Sequence, residues 1–316
     1  VKYSYNIDKE GIDLKNIVKE LRYVMPALAT PVNKDGSFDA PGMKRLVEYV
    51  LANGMRTLFV LGYAGECLAF SREERRKIIE TAREAAGPDV LLMAGTMDDS
   101  TRLIQTHIND AYESGADVAL TTPTDFVHCT DAELLDLFKD LNDTTKLPLV
   151  IYNCPENQHY VTPELMQQLS KLENIVGLKE TSNVDKIQKM MLSVEQNENF
   201  IMVSGEEFVY YPAMALGVEG FIMGGPGNVL PKLSLQIFQD FQDGKITAAR
   251  DNYFRMVGFL RELYFTLPYP TLMPQIKAIL ELGGICGRAM TAPTHAVADE
   301  HMPVIRDMMR RYEIEL

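Results

Sequence analysis

Cysteine is scarce: four residues, at 67, 129, 154 and 286, are spread over 316 positions. No two of them form a CxxC pair, which argues against zinc-finger and dithiol motifs, and a chain this long needs no disulfide stapling. That usage points to a reducing compartment. Long apolar runs are missing as well, since no uncharged apolar stretch reaches the ~18 residues that a membrane-spanning helix requires. The first ten residues are polar and carry no apolar signal-peptide core, so a cytoplasmic location is expected. Basic residues are outnumbered, 31 against 44, and the resulting net charge of −13 repels polyphosphate and anionic lipid. Neither nucleic acid nor a membrane is an expected partner.

What the chain does have is a repeating pattern. Short apolar runs bounded by turn residues lie at 25–30, 57–61, 90–95, 117–123, 147–153, 175–179, 200–205 and 220–225, which makes eight candidate strands. Segments with helical spacing separate them and carry start signals. Ser71 with Glu74 and Thr130 with Glu133 read as capping boxes, and Thr162-Pro163 as an N-cap followed by proline at the first helical position. Continuous apolar runs such as LPLVIYN suit strands covered on both faces. Eight β-then-α units predict an α/β fold, a single (β/α)₈ TIM barrel. The competing doubly wound sheet would show a GxGxxG turn after its first strand, and none follows Thr30. The expected organisation is an N-terminal extension over 1–23, the barrel over 24–244, and additional C-terminal helices over 245–316. Those helices are predicted near 246–264, 273–282 and 297–312.

In such a barrel the chemistry sits where strands end, so the last residue of each run and the loop after it are the candidates. Lys179 stands out because it lies inside IVGLK, an otherwise apolar strand. Desolvation there favours a neutral amine able to attack a ketone and form a Schiff base. The same lysine also reads as the partner of a carboxylate such as Glu207, one strand away. Tyr152 ends the neighbouring strand, where its phenol could move protons to and from the intermediates; by itself it reads equally as a rim tyrosine. The glycine-rich MGGPGN after the eighth strand is a tight turn or an anion cradle. Glu206-Glu207 is the start of a helix or, less simply, an oxygen-ligand pair for Mg²⁺ or Mn²⁺. The five histidines are scattered and are read as non-ligands, so no metal is expected.

Taken in order, the motifs resemble the dihydrodipicolinate synthase/N-acetylneuraminate lyase family of class I aldolases over nearly the whole chain. They are Ala29-Thr30-Pro31 with Asp35-Gly36, the turn 62–66, Ala94-Gly95-Thr96, Gly115-Ala116-Asp117, Tyr152-Asn153-Cys154-Pro155, Gly177-Leu178-Lys179, Ser204-Gly205 and 217–228. The resemblance implies Lys179 as the Schiff-base lysine and Tyr152 as the catalytic tyrosine. It places Ala27, Tyr63, Ala64, Gly205, Glu207, Ile222 and Gly224 around a 2-oxo acid, usually pyruvate. It implies no cofactor and a homotetramer or homodimer.

The departures narrow the expectation. The family's two hydroxyl residues before the Gly-Glu of the second-strand turn correspond to Tyr63 and Ala64, so one side-chain donor is gone. The synthase branch's tyrosine after the fourth strand is replaced by Pro123-Thr124-Asp125-Phe126, and its arginine for the second substrate corresponds to Asn157. In the sialic acid lyase branch, an Asp-Glu pair and a serine correspond to Glu207-Phe208 and Gly224. The expected activity is therefore a lyase, aldolase or dehydratase, acting on a 2-oxo acid through a lysine Schiff base, and not dihydrodipicolinate synthesis itself. The alternatives are a 2-oxo acid-binding protein on an aldolase scaffold that has lost turnover and, more weakly, a metal-dependent lyase using Glu206 and Glu207.

Overall fold

The computed structural model describes residues 13–124, 127–154, 159–194 and 197–316. Eight strands are present: β1 Val24–Pro26, β2 Thr57–Val60, β3 Leu91–Gly95, β4 Val118–Thr121, β5 Leu149–Asn153, β6 Ile175–Glu180, β7 Ile201–Ser204 and β8 Gly220–Met223. They form one sheet in the order β1-β8-β7-β6-β5-β4-β3-β2, and a parallel bridge from Ala27 to Phe59 brings β1 back to β2. Strands alternate with helices throughout, which is the (β/α)₈ barrel the apolar runs predict. Every strand residue except Met202 is buried, as parallel strands covered on both faces must be.

The helix starts follow the side chains that sequence singled out. Ser71 and Glu74 exchange hydrogen bonds with each other's backbone, Thr130 and Glu133 do the same, and Thr162 accepts from the Leu165 amide ahead of Pro163. Each satisfies amide donors that a helix N-terminus leaves without partners.

Two compact units divide the chain. One comprises Val1–Tyr23 with Gly87–Ile222, carrying the helix Leu14–Leu21, strands β3 to β7 and β8 as far as Ile222. Its strands pair in a continuous parallel ladder, with Tyr152 opposite Lys179 and Asn153 opposite Glu180 between β5 and β6. The other comprises Val24–Ala86 with Met223–Leu316 and carries β1, β2 and the helices Pro231–Gln242, Ile246–Thr266, Met273–Leu282 and Met302–Arg311. Met273–Leu282 is buried over eight successive residues, from Met273 to Leu280.

The glycine-rich stretch after β8 differs from the turn expected of it. It winds into the short helix Gly225–Val229, in which all five residues are buried. A Cβ at Gly227 would come within 2.8 Å of the Pro26 Cα, so the absent side chain lets this helix lie against β1. The Asn228 amide fastens it there, accepting from the Ala29 N–H at 3.0 Å and donating to the Ala27 carbonyl at 2.7 Å. Packing against the end of β1 accounts for the glycine at 227 and the asparagine at 228.

Candidate active site

Lys179 and Tyr152 face one another at the ends of β6 and β5, as their register requires. Both are buried, at 6% and 5% exposure. The Lys179 Nζ lies over the face of the Tyr152 ring, 3.5 Å from its centroid, a cation–π arrangement. Gly205 follows β7 and leaves space for this amine. A Cβ there would stand 2.5 Å from Lys179 Cε and 3.0 Å from Nζ, and would collide with Thr181 Oγ1. Amine and hydroxyl therefore converge on the spot that Gly205 keeps empty. The Thr181 hydroxyl is itself buried and has no partner among the described residues, a state that costs about 1–3 kcal/mol unless a ligand or water relieves it. Sequence reading passed over Thr181, because threonines at strand ends are common.

The outward face of the same two strands carries a polar network that sequence reading also missed. Alternation along a strand sends Asn153 and Glu180 away from Tyr152 and Lys179, and both are fully buried. Asn153 Nδ2 donates to Glu180 Oε2 at 2.9 Å, and the Tyr160 hydroxyl donates to Oε1 at 2.8 Å. Asn153 also exchanges hydrogen bonds with the Val161 backbone. The signal was available: a second charged residue beside Lys179 in one apolar run must be buried on the other face.

Burial raises the Glu180 carboxyl above its ordinary value of 4.5, opposed by the neighbouring Ser182, Tyr160 and Asn153 groups. Burial likewise pushes the Tyr160 phenol up, with the Glu180 charge adding to it. A carboxyl held more firmly protonated in the folded chain contributes stability that is full below 4.5 and lost as pH rises through the folded value. In Glu180→Gln that loss should disappear. The expected result is a melting temperature that gains on the wild type's as pH rises from about 4.5 toward neutrality; a pH-independent difference would refute the assignment.

The remaining predicted residues fall as follows. Glu207 is half-buried and opens the short 3₁₀ turn Glu207–Val209, with Glu206 accepting from the Phe208 amide, which is the helix-start reading of that pair. Ile222 is buried in β8, and Gly224 precedes the helix Gly225–Val229. Ala27 and Ala64 are buried, whereas Tyr63 is 60% exposed. Asp125, Phe126 and Asn157 lie outside the described residues. Among the described residues, no group of three or more His, Cys, Asp or Glu side chains could hold a metal ion, and no helix is long and apolar enough to cross a membrane.

The turn 62–66 after β2 is tightly wound. The amides of Gly65 and Cys67 donate to the Gly62 carbonyl, that of Glu66 donates to Tyr63, and the Thr30 hydroxyl holds the Gly65 carbonyl at 2.7 Å. Leu61 and Glu66, at φ 56 and φ 54, bracket it in the left-handed region, each at a cost of about 1–2 kcal/mol for a residue with a Cβ. Glu66 is heavily engaged. Its carboxylate takes the ammonium of Lys277, the Thr291 amide at 2.8 Å and the Thr291 hydroxyl at 2.6 Å. Lys277, on the helix Met273–Leu282, has no exposed side-chain surface and also donates to the Ala289 carbonyl at 3.1 Å. Burial lowers its pKa, against the opposing pull of Glu66.

Comparison with known proteins places the chain in a family of lyases. The profile of the dihydrodipicolinate synthetase family matches residues 20–311, and the chain belongs to that family. Its relatives include the 4-hydroxy-tetrahydrodipicolinate synthase of Methanothrix thermoacetophila, 28% identical over 92% of this chain and 96% of that protein. The synthase of Hyphomonas neptunium is 30% identical over 86% and 92% of the two chains. Among solved structures, the dihydrodipicolinate synthase of Bacteroides thetaiotaomicron superposes with a TM-score of 0.87 at 25% identity, covering 92% of this chain and 98% of that one. YagE, a prophage protein of Escherichia coli K12 solved in complex with pyruvate, shares the fold at a TM-score of 0.87 and 23% identity, over 93% of this chain and 99% of that one.

Proposed function

We propose that this chain is a Schiff-base lyase, an aldolase or dehydratase, acting on a 2-oxo acid of the pyruvate class and not serving as dihydrodipicolinate synthase. The observation that carries the reading is the buried Lys179 amine, held against Tyr152 in the space that Gly205 leaves open. In the reaction, the amine attacks the 2-oxo carbon once it has given up its proton, the carbinolamine expels water, and the iminium draws electrons from the adjacent carbon. Carbon–carbon cleavage or loss of a hydroxyl then proceeds through the enamine. Tyr152 takes and returns the protons. On the family pattern alone, Ala27, Tyr63, Ala64 and Ile222 are assigned to binding the 2-oxo acid. Glu207 and Gly224, where the sialic acid lyase branch places sugar contacts, are proposed to meet the distal part of the substrate.

A panel of 2-oxo acids, each with sodium borohydride and intact-mass analysis, tests this directly. The expected result is one reduced adduct per chain, mapped to Lys179, with aspartate semialdehyde plus pyruvate giving no appreciable synthase product. Absence of any adduct across the panel would overturn the assignment. The second reading, a binding protein that forms the imine without turnover, draws on the exposed Tyr63 and the hydroxyl-free Ala64.

The two tyrosines separate these readings. Tyr152→Phe should slow both trapping and turnover, whereas Tyr63→Phe should lower turnover, by the ~10²–10⁴-fold typical of proton transfer, while leaving trapping largely intact. A neutral Tyr63→Phe would assign that side chain to packing. Turnover on no substrate, with trapping preserved in the wild type, would favour the binding protein.

A further inference from the structure

We infer that Thr181 is a catalytic residue, its hydroxyl carrying a proton from the Lys179 nitrogen to the substrate's carbonyl oxygen as the imine forms. The inference rests on the proposed function above, in which Lys179 condenses with a 2-oxo acid.

Thr181 follows β6 directly, and its amide donates to the Asn153 carbonyl at 3.1 Å, so the alternation of the strand carries on and turns the threonine to the same side as Lys179. Gly205 is drawn against the same strand by its own amide, which donates to the Glu180 carbonyl at 2.9 Å. The point that a Cβ on Gly205 would occupy lies 3.0 Å from Lys179 Nζ and closer still to Thr181 Oγ1. Amine and hydroxyl thus look onto one small space from two sides. Buried hydroxyls are nearly always hydrogen-bonded, yet this one has no partner among the described residues. A donor that is also an acceptor stands idle beside the nucleophile.

Addition of the amine to the 2-oxo carbon puts positive charge on nitrogen and negative charge on oxygen. Those two atoms are joined through one carbon, and a proton passes between them poorly without an intermediary. A hydroxyl reaching both supplies it: Oγ1 accepts the proton from nitrogen as it gives its own to oxygen, and Thr181 ends unchanged. A second proton, from the Tyr152 phenol, then turns that oxygen into water. The carbon–oxygen bond breaks, and the nitrogen lone pair closes the carbon–nitrogen double bond.

A group that carries protons changes how fast the imine forms and not how much forms. The experiment mixes enzyme with saturating pyruvate, adds borohydride after increasing delays, and follows the adduct at Lys179 by intact mass for wild type, Thr181→Val and Thr181→Ser. Thr181→Val should form the adduct about 10²-fold more slowly yet reach the wild-type extent, with the half-saturating concentration changed less than about twofold. Thr181→Ser, which keeps the hydroxyl, should recover the rate to within a few-fold. The melting temperature of Thr181→Val should equal or exceed that of the wild type, because an unpartnered buried hydroxyl has gone. A merely structural threonine would not combine unchanged or raised stability with a slower reaction. Wild-type kinetics in Thr181→Val, a reduced final extent, or failure of serine to recover the rate would overturn the inference. So would a loss seen only with 2-oxo acids bearing a hydroxyl at C4, which would assign Thr181 to holding the substrate chain. If Thr181→Val does not fold, Thr181→Ala decides by the same time course. A wild type that traps no 2-oxo acid would instead sink the Lys179 assignment, and this inference with it.

Discussion

Lys179→Arg should leave no borohydride-fixed adduct with any 2-oxo acid, and turnover should fall by roughly 10⁴-fold or more, as when other enzymes lose a nucleophile. Arginine keeps the positive charge but cannot be deprotonated in a protein, so it cannot condense with a ketone. Retained charge matters as a control, because the residue lies 3.5 Å from the centroid of the Tyr152 ring, and a guanidinium can keep that cation–π contact. Loss of the adduct in Lys179→Arg then reports the missing amine and not a vanished cation. Peptide mapping completes the test, since Lys277 is also buried and has a lowered pKa. An adduct of undiminished size in Lys179→Arg, mapped to Lys277 or elsewhere, would move the chemistry away from β6.

Gly205→Ala is expected to be nearly as damaging although it removes no functional group. The new Cβ would lie 2.5 Å from Lys179 Cε and would strike Thr181 Oγ1, so the lysine must leave its place beside Tyr152. A displacement of about 1 Å at a reacting atom can cost ~10²-fold in rate, and both trapping and turnover should fall by about that factor. Stability should suffer less, by the ~1–3 kcal/mol of an overpacked site, measured by chemical denaturation. An alanine variant with wild-type trapping kinetics would show that the amine meets its substrate from another direction.

Lys179 was legible from sequence for a simple reason: a lysine within IVGLK has no solvated side to occupy. Lys277 sits in an equally apolar stretch, MPQIKAILEL, yet escaped notice. A single lysine on a helix ordinarily lies along the solvated face, and its carboxylate partner is 211 positions away. The strands were legible because parallel strands bury both faces, but their ends were not. The run 25–30 predicts a strand through Thr30, whereas β1 ends at Pro26, Ala27 adds an isolated bridge to Phe59, and the residues from Leu28 to Thr30 are buried outside any strand. An apolar run records burial, not pairing. Similarly, the spacing over 297–312 predicts one helix, but Ala298 is extended, with ψ 151, and the helix begins only at Met302. Glu180 was legible from its place beside Lys179 in an apolar run, but its partners Asn153 and Tyr160 were not, because they are ordinary polar residues until the strand register and the loop after β5 bring them to it.

The clamp on Glu66 has a consequence for synthesis. Its carboxylate emerges from the ribosome 211 residues ahead of Lys277 and 225 ahead of Thr291. At about 5–20 residues per second, that interval is roughly 10–40 s. Throughout it, the turn after β2 has none of the three donors that hold Glu66 left-handed, and the carboxylate stays in water, where it costs nothing. The turn therefore takes its final form only once the chain has been made past Thr291, and an unfinished chain carries Lys179 well before this turn is fixed.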